Sequence, residues 1–111
     1  MIRIDAIWLS AEPLDMRAGA DRALTRVVEV FGSAKPHHAY LFVNRRANRL
    51  KVIVHDGLGV WLAARRLHQG GFAWPKKELS ATLSLTPRQL DALVIGLPWY
   101  RLGEAQAITL I

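Results

Sequence analysis

Cysteine is absent from the 111 residues of this sequence. Its absence excludes disulfide bonds, thiolate metal ligands and cysteine nucleophiles. Long apolar runs are also missing, since charged residues interrupt them well before the roughly 20 residues that a membrane span needs. The N-terminus lacks the basic patch and apolar block of a secretory signal. We therefore expect a soluble, cytoplasmic protein that binds no membrane.

Catalytic and cofactor-binding patterns are equally scarce. The nine carboxylates form no recognisable acid–base pair, and a two-metal nuclease would need several of them to converge on one site. His37 and His38 are neighbours, so in an extended segment their rings point in opposite directions and do not share a metal. The glycines at 57, 59, 70 and 71 lack the Lys-Ser/Thr of a nucleotide-binding loop. We predict a protein that is not an enzyme and that carries no metal or cofactor.

Acidic residues are nearly missing from the middle of the chain. Between Lys35 and Lys77 there are nine basic residues and one acidic residue, Asp56, a balance of +8. The rest of the chain holds six basic and eight acidic residues, although the whole chain has a net charge of +6. Such segregation is typical of a domain with one face for a polyanion, and it favours a nucleic acid as the partner.

The first half of the chain predicts a strand followed by a helix. Alternating apolar residues at 2–9 indicate the strand. Apolar residues at helical spacing over 15–32 indicate the helix, with Asp15 as its N-cap and Gly32 as its stop. The mixed charges on the opposite face of this helix, Arg17 and Arg26 among them, are typical of a solvated surface.

The middle of the chain predicts a hairpin and a second helix. Residues 39–43 and 50–55 are rich in aromatic and β-branched residues, and the six residues between them favour an antiparallel hairpin. Leu50, Val52 and Val54 would then share one apolar face. The turn signal at 56–59 is interpreted as the start of a helix that extends to the glycines at 70 and 71.

That second helix would place four apolar residues inward before the glycines at 70 and 71 end it. These are Leu58, Trp61, Leu62 and Leu67. Arg65 and Arg66 would fall in its last turns, where cations complement the helix dipole.

The last third predicts one clear helix. Residues 72–75 and 81–85 are short and fit either strands or irregular packing. Thr86-Pro87-Arg88-Gln89 has an N-cap, a proline at the first helical position and the glutamine of a capping box. Pro98 ends the helix, and residues 101–111 form a C-terminal extension whose apolar end fits either an edge strand or a partner contact.

Together these elements predict an α+β fold for one domain over 1–111. It has a small, mostly antiparallel sheet, a central basic β-hairpin and about three helices.

The candidate binding residues are the basic ones around the hairpin. A hairpin tip with guanidinium groups can contact phosphates or enter a groove of a duplex, and helix cations beside it would add to the contact. The alternative is that these charges only solvate a turn. The nucleic-acid-binding candidates are Arg45, Arg46, Arg49, Lys51, Arg65 and Arg66.

A second candidate surface follows the last helix. Trp99, Tyr100 and Arg101 are residue types that protein interfaces favour. They indicate an alternative function, a protein-interaction adaptor.

Four blocks of the sequence are similar to a known family. DMRAGAD, LFVNRRANRLKVIVHDGLGVWLAARRL, GGFAWP and LSLTPRQLDALVIGLPW together resemble the Orf2-like accessory proteins (TnpB) of the insertion-sequence-66 family of bacterial transposable elements. The resemblance runs from about residue 7 to residue 99.

The resemblance implies a small, non-catalytic accessory protein that works beside a separate large transposase. Transposon DNA would be the nucleic acid bound by the basic hairpin, with a location at the nucleoid. The large transposase would be the partner in the adaptor alternative. Neither the oligomeric state nor the choice between DNA and RNA follows from the sequence.

Overall fold

The computed structural model describes residues 2–75 and 82–102. Its centre is a five-stranded mixed sheet in the order β4-β3-β2-β1-β5. The strands are β1 (Ala6–Ser10), β2 (His38–Val43), β3 (Arg49–His55), β4 (Val60–Arg66) and β5 (Thr82–Leu85). β1 and β2 pair in parallel and every other neighbouring pair is antiparallel, which confirms a mostly antiparallel sheet.

Two α-helices cover the sheet, one on each face. They are α1 (Ala20–Phe31) and α2 (Pro87–Val94), and a short 3₁₀ helix follows at Trp99–Arg101. α1 lies over the side chains of Tyr40, Phe42 and Ile53. α2 and the 3₁₀ helix lie over the other face, which includes Leu41 and Leu50.

The β2–β3 hairpin agrees with its sequence signal. Because side chains alternate along a strand, β3 places Leu50 and Val54 in the core on the α2 face, and Lys51 and Ile53 on the α1 face. The predicted apolar face of this strand is confirmed.

The prediction of a helix between the turn at 56–59 and the glycines at 70 and 71 is wrong. Residues 60–66 form β4, which pairs with β3 along its whole length. The preceding turn has Gly57 at φ 86°, a left-handed conformation that glycine adopts without strain. Asp56 holds this turn, since its Oδ1 accepts from the backbone N–H groups of Leu58 and Gly59, both at 2.9 Å.

Most of the apolar side chains that this predicted helix would have buried are therefore exposed to solvent. Leu58 is 98% exposed, Trp61 51% and Leu62 37%, while only Leu67 packs partly against the core. The described residues contain two α-helices and one 3₁₀ helix where the sequence predicts about three helices, and the α+β class is confirmed.

Two other boundaries differ from the sequence prediction. α1 begins at Ala20, with Gly19 as N-cap, because Asp15 instead accepts a hydrogen bond from the backbone N–H of Arg17 in a tight turn. β1 begins at Ala6 instead of residue 2. The ends of the helices agree better, since Gly32 ends α1 in the left-handed conformation and Thr86 with Gln89 forms the predicted capping box.

Candidate nucleic-acid interface

Asn44 holds the tip of the β2–β3 hairpin in one conformation. Its Oδ1 accepts from the backbone N–H groups of Asn48 and Arg49 at 3.0 and 3.1 Å, and its carbonyl accepts from Ala47 at 3.0 Å. Ala47 takes up a left-handed φ of 55°, which closes the turn. Arg45 and Arg46 occupy the two central turn positions between these bonds and are exposed. The hydrogen-bonded backbone of the tip thus presents two guanidinium groups to solvent.

A groove of about 640 Å³ lies between this hairpin and the segment that leads into α1. Arg45 and Arg49 line it from the hairpin side, and Arg17 and Arg26 line it from the α1 side. The groove therefore gathers four guanidinium groups from three parts of the chain. The carboxylates that also line it are Glu12 and Asp15.

The two carboxylates pair with the arginines of the α1 side. Arg17 Nη2 lies 2.9 Å from Asp15 Oδ2, and Arg26 Nη2 lies 3.5 Å from Glu12 Oε2. The hydrogen bond from the Arg17 side chain, followed by that from its backbone, lowers the pKa of Asp15 to about 2. Asp15 is therefore ionised at neutral pH, and it neutralises Arg17.

The arginines on the hairpin side of the groove differ from those on the α1 side. In the described ranges, no carboxylate forms an ion pair with Arg45 or Arg49. Both side chains are exposed at the groove. This end of the groove is consequently its positive end.

A second hollow of about 370 Å³ continues the groove towards β4. It shares Met16 and Arg49 with the first groove and is also lined by Arg65 and Arg66. Arg49 and Arg66 lie directly opposite each other in the β3–β4 register, on the α1 face of the sheet. We call the two hollows together the basic groove.

The juxtaposition of Arg49 and Arg66 is electrostatically unfavourable. Like charges directly opposite each other on paired strands destabilise a sheet. Arg66, like Arg49, forms no ion pair with a carboxylate in the part of the chain that the structure describes. An anion placed between the two guanidinium groups would remove this repulsion.

Two of the predicted binding residues have partners within the fold. Lys51 is 9% exposed, and its Nζ donates to the carbonyl of Ala18 at 2.6 Å. Arg65 points to the opposite face from Arg66, where its Nε donates to the carbonyl of Val94 at 2.6 Å, near the end of α2. Lys51 ties the lead-in to α1 to the sheet, and Arg65 ties α2 to it.

The predicted set is thus brought together only in part. Arg45, Arg49 and Arg66 line the basic groove with side chains that form no ion pair with a described carboxylate. Lys51 and Arg65 also line its second hollow, but their side chains donate to carbonyl groups of the fold. Arg46 is exposed at the hairpin tip but does not line either hollow. The mixed charge of the α1 segment predicts only a solvated surface for Arg17 and Arg26, and no sequence signal places these two arginines beside the hairpin.

The second predicted surface is buried in part. Trp99 is 4% exposed, and its Nε1 donates to the carbonyl of Ala73 at 2.6 Å. Tyr100 packs edge-on against it with ring centroids 5.9 Å apart, while Arg101 is exposed. Beyond Leu102 the C-terminal extension lies outside the described residues, as do Lys76 and Lys77.

The histidines and carboxylates of the described residues do not form a metal-binding cluster. Over 2–75 and 82–102, no group of three or more His, Asp or Glu side chains is arranged to hold a metal ion. His38 accepts a hydrogen bond from Trp8 Nε1 at 2.9 Å through its Nδ1. Within the same ranges, no helix has the length and apolar character to cross a membrane.

Comparison with known proteins gives one family and two relatives. The model of the family described as IS66 Orf2 like protein matches residues 5–104. The uncharacterized protein y4hO of Sinorhizobium fredii is 38% identical over 95 residues, covering 84% of this chain and 81% of that protein. The uncharacterized protein y4jC of the same organism is 34% identical over 100 residues, covering 86% of this chain and 81% of its own length. No solved structure matches the chain significantly.

Proposed function

Because the chain belongs to the IS66 Orf2-like family, and therefore has an accessory role in transposition, we propose that it binds transposon DNA through the basic groove. Its contribution is to hold DNA and not to cut or join it. The binding residues in this proposal are Arg45, Arg49 and Arg66, and Arg46 adds charge at the hairpin tip.

The cross-strand pair Arg49 and Arg66 carries this proposal. Among the described residues no carboxylate pairs with either of these opposed guanidinium groups, so their juxtaposition gives the sheet repulsion without a compensating ion pair. A phosphate between them would accept charge-assisted hydrogen bonds from both, and Arg45 lies on the same groove for a neighbouring phosphate.

The contacts offered are to the backbone of DNA. Guanidinium groups on a fixed hairpin and an edge strand neutralise phosphates without reading bases, so binding should depend weakly on sequence. Each neutralised phosphate releases counterions, and the logarithm of the association constant falls by about 0.9 per contact for each unit of log salt.

The test compares two variants of equal charge. Arg49→Gln with Arg66→Gln removes the opposed pair, while Arg88→Gln with Arg101→Gln removes two exposed arginines away from the groove. Fluorescence anisotropy with duplex DNA from the element's end, over a series of salt concentrations, should give a slope reduced by about two for the first variant only.

A stability measurement accompanies the binding assay. The Arg49/Arg66 variant should be as stable as the parent or slightly more so, because it relieves like-charge repulsion. Equal affinities and salt slopes for the two double variants would refute the proposal. Tighter binding of an RNA duplex than of the DNA duplex would refute its assignment to DNA.

A further inference from the structure

β4 is an edge strand of the described sheet, and it lacks the features that usually prevent an edge strand from pairing with another chain. It is the outermost strand of the sheet, and β3 is its partner over seven consecutive pairs, from Arg49 opposite Arg66 to His55 opposite Val60. The register is unbroken, so no bulge distorts the strand. Its outer edge therefore presents a straight row of backbone N–H and C=O groups that pair with no other described strand.

Natural sheets usually block such an edge. Proline, inward-pointing charge, a bulge or a very short strand prevents pairing with another chain. β4 uses none of these over Val60–Ala64, where all five residues are apolar, and its charges are confined to Arg65 and Arg66 at one end. The opposite edge strand, β5, has only four residues.

The outward-pointing backbone groups can be assigned from the register. The backbone N–H of Asp56 donates to the carbonyl of Gly59 at the turn, which makes this a hydrogen-bonded pair. Alternation from there directs the N–H and C=O groups of Trp61, Ala63 and Arg65 towards β3. Those of Val60, Leu62, Ala64 and Arg66 consequently point away from the sheet.

We propose that β4 pairs antiparallel with β4 of a second copy of this chain, around a two-fold axis at Ala63. The two copies of Ala63 then form the central, non-hydrogen-bonded pair. Leu62 exchanges backbone hydrogen bonds with Ala64 of the other copy, and Val60 does so with Arg66. The two sheets become one continuous sheet.

The side chains are self-complementary in this register. Trp61 lies opposite Arg65 of the other copy, where the guanidinium group can cover the indole face. Moving the axis by one residue to Ala64 would bring the two copies of Arg65 within two positions of each other. With the axis at Ala63, the two copies of Arg66 lie about 20 Å apart along the strands, which limits their repulsion.

Charge and symmetry favour a second copy as the occupant. A symmetric pair of identical strands needs one surface patch that complements itself, and the sequence VWLAARR does this by placing its aromatic residue and its cations at opposite ends. A two-fold axis perpendicular to the sheet would leave both basic grooves on the same face. This inference stands independently of DNA binding, since it concerns β4 alone.

The chain has no cysteine, so a single introduced one reports the pairing directly. In a non-hydrogen-bonded antiparallel pair the Cα atoms are about 4.5 Å apart, within the range that a disulfide spans. Ala63→Cys should oxidise readily to a covalent dimer. Ser33→Cys, which is exposed and lies outside β4, should stay largely monomeric under the same oxidising conditions.

Sedimentation analysis of the cysteine-free chain supplies the second measurement. The parent should show a mass that doubles with concentration. Ala64→Pro removes an outward N–H without touching the β3 ladder, and should weaken dimerisation at least tenfold, while circular dichroism shows that the fold persists.

Leu62→Lys, which adds a charge to the edge, should have the same effect and serves where the proline variant folds poorly. A parent that remains monomeric at high concentration would overturn the proposal. A dimer that persists in the folded Ala64→Pro or Leu62→Lys variant would do the same, as would equal cross-linking of the two cysteine variants.

Discussion

Gly71 shows how one residue fixes the position of the basic hairpin. A Cβ at this position would lie 2.9 Å from the carbonyl oxygen of Ala47, and that oxygen accepts a hydrogen bond from the N–H of Phe72 at 2.6 Å. The segment around Gly71 therefore lies directly against the hairpin tip. The close approach of two backbones, rather than a helix end, explains this glycine.

Replacing Gly71 by alanine should therefore destabilise the protein. The clash is with backbone, so either segment must move, and overpacking of this kind costs about 1–3 kcal/mol of unfolding free energy. Urea unfolding measures the loss. Gly59→Ala is the matched control, because a Cβ there meets nothing within 4 Å, and equal losses in the two variants would contradict this explanation.

At the scale of elements, the strongest local signals predict the structure well. The hydrogen bonds of the β2–β3 hairpin and of the capping box at Thr86 join residues that are close in sequence, so a short stretch of sequence predicts each of them. The local sequence does not predict β4 in this way. As an edge strand exposed on both faces it shows no alternation of apolar and polar residues, and its apolar spacing is instead typical of a helix.

The turn before β4 carried a signal that outweighs this spacing. Asp-Gly between two apolar runs indicates a hairpin, because Gly57 can adopt a positive φ.

The sequence predicts only some of the arginines of the candidate site. Local charge density predicts Arg45 and Arg49, whereas the position of Arg66 opposite Arg49 depends on the register of β4.

Lys51 joins two elements, and its substitution should distinguish packing from binding. Lys51→Met keeps the buried stem but leaves the carbonyl of Ala18 without its donor, which costs about 1–3 kcal/mol of unfolding free energy. DNA affinity per folded molecule and its salt slope should match those of Lys35→Met, an exposed lysine with the same charge loss. A reduced slope for Lys51→Met alone would show instead that its ammonium group reaches DNA.

At the scale of the whole molecule, carboxylates hold local structure in a strongly basic chain. The Arg3 side chain lowers the pKa of Asp5, and the Arg17 side chain lowers that of Asp15 to about 2. The backbone N–H groups of Leu58 and Gly59 lower the pKa of Asp56. Protonating these groups removes stabilising contacts and adds to a net charge that is already +6 at pH 7.

The stability of the protein should therefore fall as the pH is lowered from 5 to 2. A carboxylate with a folded pKa below its unfolded value of about 3.9 stabilises the fold fully above that value, and loses the contribution as the pH falls through the folded pKa. Thermal unfolding at a series of pH values measures this decline. Added salt should partly restore the melting temperature at pH 3, because it screens the excess positive charge.

Asp56→Asn provides the control for that decline. The asparagine oxygen can still accept hydrogen bonds from the β3–β4 turn but does not titrate, so the melting temperature of this variant should depend less steeply on pH over the same window. A melting temperature that stays constant or rises between pH 5 and pH 2 would contradict the role assigned to these carboxylates. An unchanged pH dependence in Asp56→Asn would remove Asp56 from the group and leave Asp5 and Asp15 to account for the decline.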